Sequence, residues 1–233
     1  MVKSAATIVL VHGAWADGSS WNRVIPVLLD KDLPVIAAQL PLTSIEDDLA
    51  ATNRIVVDIA GPIVLVGHSW GGMAITQAGT NPKVAGLVYV SAFAPDVGES
   101  GSDLIGAHLT PPALSTVITD SEGFVYQTAD GMLNNIAPDI PAAEARILAV
   151  TQGRLAGKAF GQTVTAIAWR TKPSWYIVTT DDRVVSAELQ AALAKRMEAR
   201  TTLLHSSHMS LLSHPNEVAA VIEEAAAAAT SSA

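Results

Sequence analysis

The sequence predicts an α/β domain, with a mostly parallel sheet of about six strands and helices on both faces. Three observations carry this expectation. Short β-branched and apolar runs recur along the chain and alternate with helix-length segments, as βαβ units do. Several of those runs are almost wholly apolar, which suits strands of a buried parallel sheet. Hydrophobic residues make up 49% of the 233 and charged ones only 15%. That is enough to bury one large core, so a single domain over residues 1–233 is expected.

Taken in order, the runs at about 7–12, 33–38, 63–67, 84–90, 174–179 and 201–205 read as strands. After the second, Thr43-Ser-Ile-Glu46 has capping-box spacing, so a helix running to about Ile59 is expected to begin there. Met73-Ala-Ile-Thr-Gln-Ala78 continues the third run as a helix. Pro215-Asn-Glu-Val opens the last helix with proline and acid, and the tail from Ala225 to Ala233 is expected to fray. Val97 to Arg170 breaks the alternation. It has no strand-like run and falls into short helical pieces separated by Thr110-Pro-Pro112, Gly123, Gly131 and Pro138. An insertion of that kind reads as a helical lid over approximately 97–170. Its Leu104, Phe124, Tyr126, Met132, Leu133 and Trp169 either line a pocket or pack the lid onto the sheet.

Composition excludes several classes. A net charge of -8 argues against nucleic acid and anionic membranes as partners. The absence of cysteine excludes disulfides, a thiol nucleophile and Cys-ligated metal. Lys3 ahead of an apolar run, with Ala14-Trp-Ala16 behind it, imitates a short secretory signal. Cleavage there would remove the first strand, so the segment reads as core and a cytoplasmic location is the default. No apolar run approaches the length of a membrane span.

The most telling stretch is Val64-Leu-Val-Gly-His-Ser-Trp-Gly-Gly72, which sets Gly-x-Ser-x-Gly between a buried strand and a helix. A bare pentapeptide could be a glycine-rich turn with an incidental serine; in this context Ser69 becomes a candidate nucleophile on a sharp strand-to-helix turn. Gly67 and Gly71 would then be required because the chain passes too close to itself for a Cβ. A nucleophilic serine needs a base, and of the six histidines the contest lies between His205 and His208. His12 and His68 sit in tight turns, His108 in an irregular region and His214 before Pro215. His208 is preferred because it lies past the strand, in a loop, where an imidazole can swing toward the serine. His205-x-x-His208 could also be a metal pair, but no third ligand stands at a recognisable spacing, and no metal is expected.

The acid that orients the base should follow the serine and precede the histidine. Asp182 is favoured over Asp181, since the first residue after a strand continues its direction and the second can turn back. Asp96 is a third candidate. For the oxyanion, Trp70 supplies one backbone N–H by position. Ala14, in the turn His12-Gly13-Ala14-Trp15 after the first strand, is the choice for the second.

These segments together, Val11-His-Gly-Ala-Trp15, Leu65 to Gly72, Ser91-Ala-Phe-Ala-Pro-Asp96, the turn at Asp182 and Ser207-His-Met-Ser-Leu-Leu212, resemble the α/β-hydrolase superfamily. Within it, the chain is similar to the branch of hydroxynitrile lyases and plant methylesterases. The resemblance implies the α/β-hydrolase fold with a lid, Ser69, Asp182 and His208 as a triad, Ala14 and Trp70 as oxyanion donors, and no cofactor. Cyanohydrin-cleaving members that resemble this chain carry a threonine where it has Gly13, and a lysine where it has Met209. His-Met instead resembles the esterases. The expectation is therefore a serine esterase acting on a small, fairly apolar ester, with a homodimer left open as the assembly. The alternatives are a cyanohydrin or C–C lyase using the same triad and a non-catalytic small-molecule binder. Trp70 is bulkier than the residue usual at its position, which bears on the size of the acyl group.

Overall fold

The computed structural model describes residues 5–231, so Lys3 of the signal-like segment and the last two residues of the tail lie outside it. The chain runs through β1 (Thr7–Val11), α1 (Val24–Leu29), β2 (Val35–Ala37), α2 (Ile45–Asp58), β3 (Ile63–His68), α3 (Gly71–Ala78) and β4 (Val84–Val90). The insertion holds α4 (Gly101–Gly106), β5 (Val117–Thr119), β6 (Phe124–Gln127), α5 (Ala129–Gly131), α6 (Ala142–Thr151) and β7 (Leu155–Ala156). The last part holds β8 (Ser174–Thr179), α7 (Ala187–Arg196), β9 (Arg200–Leu204), α8 (Ser210–Ser213) and α9 (Pro215–Ser231).

All six expected strands form one parallel sheet in the order β2-β1-β3-β4-β8-β9. The continuous apolar runs are its middle strands: every residue of β3 and β8 is buried, while β2 and β9 at the edges are partly exposed. From β1 the chain first steps outward to β2, then crosses back to β3 on the other side. Right-handed crossovers therefore place α1 and α2 on opposite faces. α9 packs against α1 and covers the middle of the sheet. Between the diverging carboxyl ends of β1 and β3 a crevice opens, the usual ligand position in a sheet of this kind. His12 to Trp15 and Ser69 to Gly72 begin at those two ends.

Three expectations need correction. The α2 cap is Ser44, not Thr43: its hydroxyl accepts from the Asp47 N–H at 3.0 Å, while Thr43 donates to Asp47 Oδ2 at 2.6 Å. Two overlapping cap patterns stand one residue apart in the sequence, and the one with aspartate three residues on is used. The tail does not fray over its described length. α9 runs to Ser231 and buries Ala225, Ala226 and Ala229, because small side chains with high helix propensity let the helix lie close against the protein.

The lid is not purely helical. β5, β6 and β7 form a three-stranded antiparallel sheet. Asp120 makes the turn between the first two: its carboxylate accepts from the N–H groups of Glu122 and Phe124, and Gly123 follows at φ 85°. Strands of two to four residues are too short to show a period, and the glycine and prolines around them dominate the local signal.

An acid placed on the buried face of α9 tests the correction to the tail. Ala226→Asp should lower stability by about 2 kcal/mol or more, since the charge would be buried without a partner. Urea denaturation checks this; a fraying tail would tolerate the change within about 0.5 kcal/mol.

Candidate active site

Ser69 leaves β3 in the left-handed region, at φ 52°, where a side chain is strained. Its backbone is fixed there by three bonds. Ser69 N–H donates to Val90 O at 3.1 Å, and its carbonyl accepts from Gly72 and Phe93 at 3.0 and 3.1 Å. The glycines are required by contact. A Cβ on Gly67 would lie 2.9 Å from the Gly71 carbonyl, and one on Gly71 would lie 2.4 Å from the Val11 oxygen. Gly71 is thus constrained by the end of β1 more than by Gly67. A Cβ on Gly13 would meet Ser69 Cβ at 2.8 Å, so the loop after β1 lies directly against the serine.

Asp182 and His208 come from the loops after β8 and β9, and they meet. His208 Nδ1 donates to Asp182 Oδ2 at 2.8 Å with both side chains buried, which leaves Nε2 as the imidazole's free lone pair. Asp182 has four further donors: Gln190 Nε2 at 2.8 Å, Thr179 Oγ1 at 3.0 Å, and the N–H groups of Val184 and Val185 at 2.7 and 3.0 Å. A buried carboxylate needs such a set, because an unpaired charge in the interior is costly. Of the other candidates, Asp181 donates its N–H to Ser206 O and Asp96 pairs with Arg170. His205 Nδ1 bonds Thr180 Oγ1 at 3.0 Å. Among the described residues no cluster of three His, Asp or Glu is arranged to hold a metal ion.

The turn histidines are held by backbone. His12 Nδ1 donates to Gly13 O at 2.8 Å, and its Nε2 accepts from Leu40 N–H at 2.9 Å. His68 Nε2 donates to the carbonyl of His208 at 2.9 Å, so one turn histidine braces the loop that carries the other. Burial keeps His68 neutral, well below the usual imidazole range, and the neighbouring His208 adds to the effect. Burial also lowers His12, partly offset by its bond to Gly13.

Ala14 and Trp70 stand on either side of Ser69, and no acceptor among the described residues takes either amide. With Ser69 they border a small cavity. Phe93, Ile105, Leu114, Phe160 and Val184 complete walls that are otherwise apolar, and the space left inside is that of about one water molecule. None of the six lid residues read as pocket lining or as packing borders this cavity. They pack the lid instead; Trp169, for example, is buried and donates to Pro95 O.

Sequence reasoning missed three supporting residues. Gln190 on α7 bridges Thr179 and Asp182. Asp139, in the lid, accepts from Ser207 N–H at 2.8 Å and from the hydroxyls of Ser207 and Ser206 at 2.5 and 3.0 Å. Burial alone would raise its carboxyl, but those bonds hold it below the ordinary value. Asp48 on α2 is 1% exposed and accepts from Trp70 Nε1 and from Leu42 N–H, each at 2.8 Å. Burial pushes its carboxyl up to about 6, against the pull of those two bonds. Each is a polar residue whose partners lie on other elements, which local spacing does not reveal.

A serine on a strained strand-to-helix turn and a buried His–Asp pair, both at the carboxyl edge of a parallel sheet, define a class, and the chain matches the alpha/beta hydrolase family over residues 8–221. It belongs to that family and is an enzyme of it. It is 27% identical to a pyrethroid hydrolase of Sphingobium wenxiniae, over 93% of this chain and 86% of the relative. To methylesterase 2 of Arabidopsis thaliana it is 24% identical, over 89% and 90%. A crystal structure of a pyrethroid hydrolase from Sphingobium faniae superposes with a TM-score of 0.81 and 23% identity, covering 96% of this chain and 98% of that one.

The neutral histidines set the response to acid. His12 and His68 bind fewer protons folded than unfolded once the pH falls below about 6.5, so stability should fall toward acid by up to about 1.4 kcal/mol per pH unit for each. Asp48 acts in the opposite sense. Between about 6 and 3.8 its folded carboxyl holds a proton that the unfolded one has lost, which offsets one ring in that window. Urea denaturation at several pH values from 7.5 to 5 checks the sign; stability that is flat or rises on acidification would mean that the rings titrate freely.

Proposed function

We propose that the protein is a cofactor-independent serine esterase for small, neutral, largely apolar carboxylic esters. The observation that carries the reading is the buried His208–Asp182 pair at the carboxyl edge that also presents Ser69. In this reading Ser69 Oγ attacks the ester carbonyl as His208 Nε2 takes its proton, and Asp182 stabilises the imidazolium. The amides of Ala14 and Trp70 bind the oxyanion. The C–O bond breaks, and the alcohol leaves with the proton from His208. Water, deprotonated by the same imidazole, then attacks the acyl-enzyme, and the acid departs as Ser69 recovers its proton.

The apolar walls favour a neutral substrate, because a charged group would lose its water there without gaining a partner. The free space is too small for an ester, so the lid has to part to admit one. The names of the relatives, a pyrethroid hydrolase and a methylesterase, support ester chemistry. Cyanohydrin cleavage is disfavoured at two positions. Met209 is buried and offers a thioether where a leaving cyanide would want a cation. At position 13 the contact with Ser69 leaves no space for a hydroxyl-bearing side chain.

A panel of p-nitrophenyl esters of graded acyl length, run beside an active-site serine probe with mass mapping, tests the reading. Turnover with labelling at Ser69 is expected. Ser69→Ala and His208→Ala should each lower kcat by on the order of 10³-fold or more, and the double variant should lose little beyond either. Asp182→Asn should be nearly as damaging. Mandelonitrile should release no cyanide above buffer. Labelling of Ser69 without turnover of any ester, or strong cyanide release, would falsify the proposal.

A further inference from the structure

Asp48 is a buried carboxylate whose hydrogen bonds, among the described residues, come only from neutral N–H groups. Its two oxygens are divided between two donors that nothing else nearby satisfies. Oδ2 takes the indole N–H of Trp70, and Oδ1 takes the amide of Leu42. A carboxylate is the small side chain with two acceptor atoms and no donor; asparagine would turn an NH₂ toward one of these N–H groups.

Both partners lead to the active site. The Trp70 ring forms a wall of the cavity beside Ser69 and meets Phe160 of the lid edge-to-face, with centroids 5.2 Å apart. Leu42 sits at φ 58°, a strained position for leucine, and its carbonyl accepts from Ala156 N–H of β7 at 2.8 Å. One carboxylate therefore fixes a pocket wall and also the loop on which a lid strand hangs. With its N–H tied at 2.8 Å to a rigid helix, the indole is confined to one orientation; untied, it could rotate toward the lid and lengthen the cavity.

We propose that Asp48 is a positioning residue that sets acyl-chain specificity, by holding the Trp70 indole as a fixed wall beside Ser69. The proposal rests on the esterase reading. A role confined to stabilising α2 would lower the melting temperature and leave the preference among substrates unmoved.

Asp48→Asn and Trp70→Phe, alone and together, are assayed on p-nitrophenyl acetate, butyrate and octanoate. Asp48→Asn should raise the ratio of kcat/KM for octanoate to that for acetate by about tenfold, the effect of one such hydrogen bond, mainly through a lower KM for octanoate. Trp70→Phe removes the N–H and some bulk and should raise the ratio comparably. On that background Asp48→Asn should change it by less than about twofold, since the two act through one contact. An unmoved ratio in folded Asp48→Asn overturns the proposal, as does a full second rise on the Trp70→Phe background. If Asp48→Asn does not fold, Trp70→Phe decides alone, and an unmoved ratio there overturns the proposal equally. Failure of the wild type to turn over any ester is a different result; it sinks the esterase reading and this proposal with it.

Discussion

The site depends on how closely three strand ends approach one another around Ser69. Val11 at the end of β1 lies where a Cβ on Gly71 would be, and the end of β4 supplies the carbonyl that takes the Ser69 N–H. Held from both sides, the serine keeps a left-handed backbone that costs on the order of 1–2 kcal/mol in isolation. The strain is affordable because β1, β3 and β4 beneath it are almost wholly buried, so relaxing one residue would mean moving two strands. The same approach brings the two amides proposed to bind the oxyanion beside the serine. Ala14 stands beside the serine only because Gly13 permits contact with Ser69, and Trp70 follows it in the same turn.

Electrostatics at this edge work by donors more than by counter-ions. Asp182 and Asp48 are both buried, and among the described residues neither bonds a lysine or an arginine. Asp182 accepts five hydrogen bonds, while Asp48 accepts two and is pushed up to about 6. The difference suits their places. Asp182, which faces an imidazole, is wrapped in donors, while Asp48 meets one indole and one amide. The turn histidines are kept neutral by burial for a related reason. A charged His68, with its ring centroid 4.6 Å from that of His208, would oppose any positive charge on that imidazole.

Much of this was legible in the sequence, and the reason is locality. The middle strands show as apolar runs because they are covered on both faces. Ser69, Trp70 and Ala14 announce themselves through glycines within two residues of the serine or just before the alanine. His208 and Asp182 follow from chain order and strand ends, and the structure joins that pair in preference to Asp96 or His205. What was not legible depends on distance along the chain. Asp48 meets Trp70 across 22 positions, and Asp139 meets Ser207 across 68. Neither aspartate sits in a motif; each looks like an ordinary polar residue at a helix start or in a loop. The lid sheet escaped for another reason. Val117-Ile-Thr119 and Phe124-Val-Tyr126 flank a glycine turn, as a hairpin should, but the strands are so short that the surrounding breakers outweigh them.

The insertion over approximately 97–170 is bonded to the loops that carry Ala14 and His208, and in the proposed esterase this links access to chemistry. Trp15, one residue past the Ala14 donor, gives its indole N–H to Val125 O of β6. Asp139 holds the two serines before His208, and Arg23, which reaches Leu212 O past that histidine, also pairs with Glu144 on α6. Leu42 O takes Ala156 N–H of β7. Any motion that opens the lid strains or breaks some of these contacts, so the oxyanion loop and the histidine loop are held most firmly when the lid is down. With the lid down the cavity holds about one water, and there a fixed N–H is worth more to a developing oxyanion than it would be in solvent. In the proposed esterase, admission of substrate and organisation of the site would therefore be opposed steps on one set of hydrogen bonds, the cost of opening falling on binding and release while the closed state keeps the geometry that the chemistry needs.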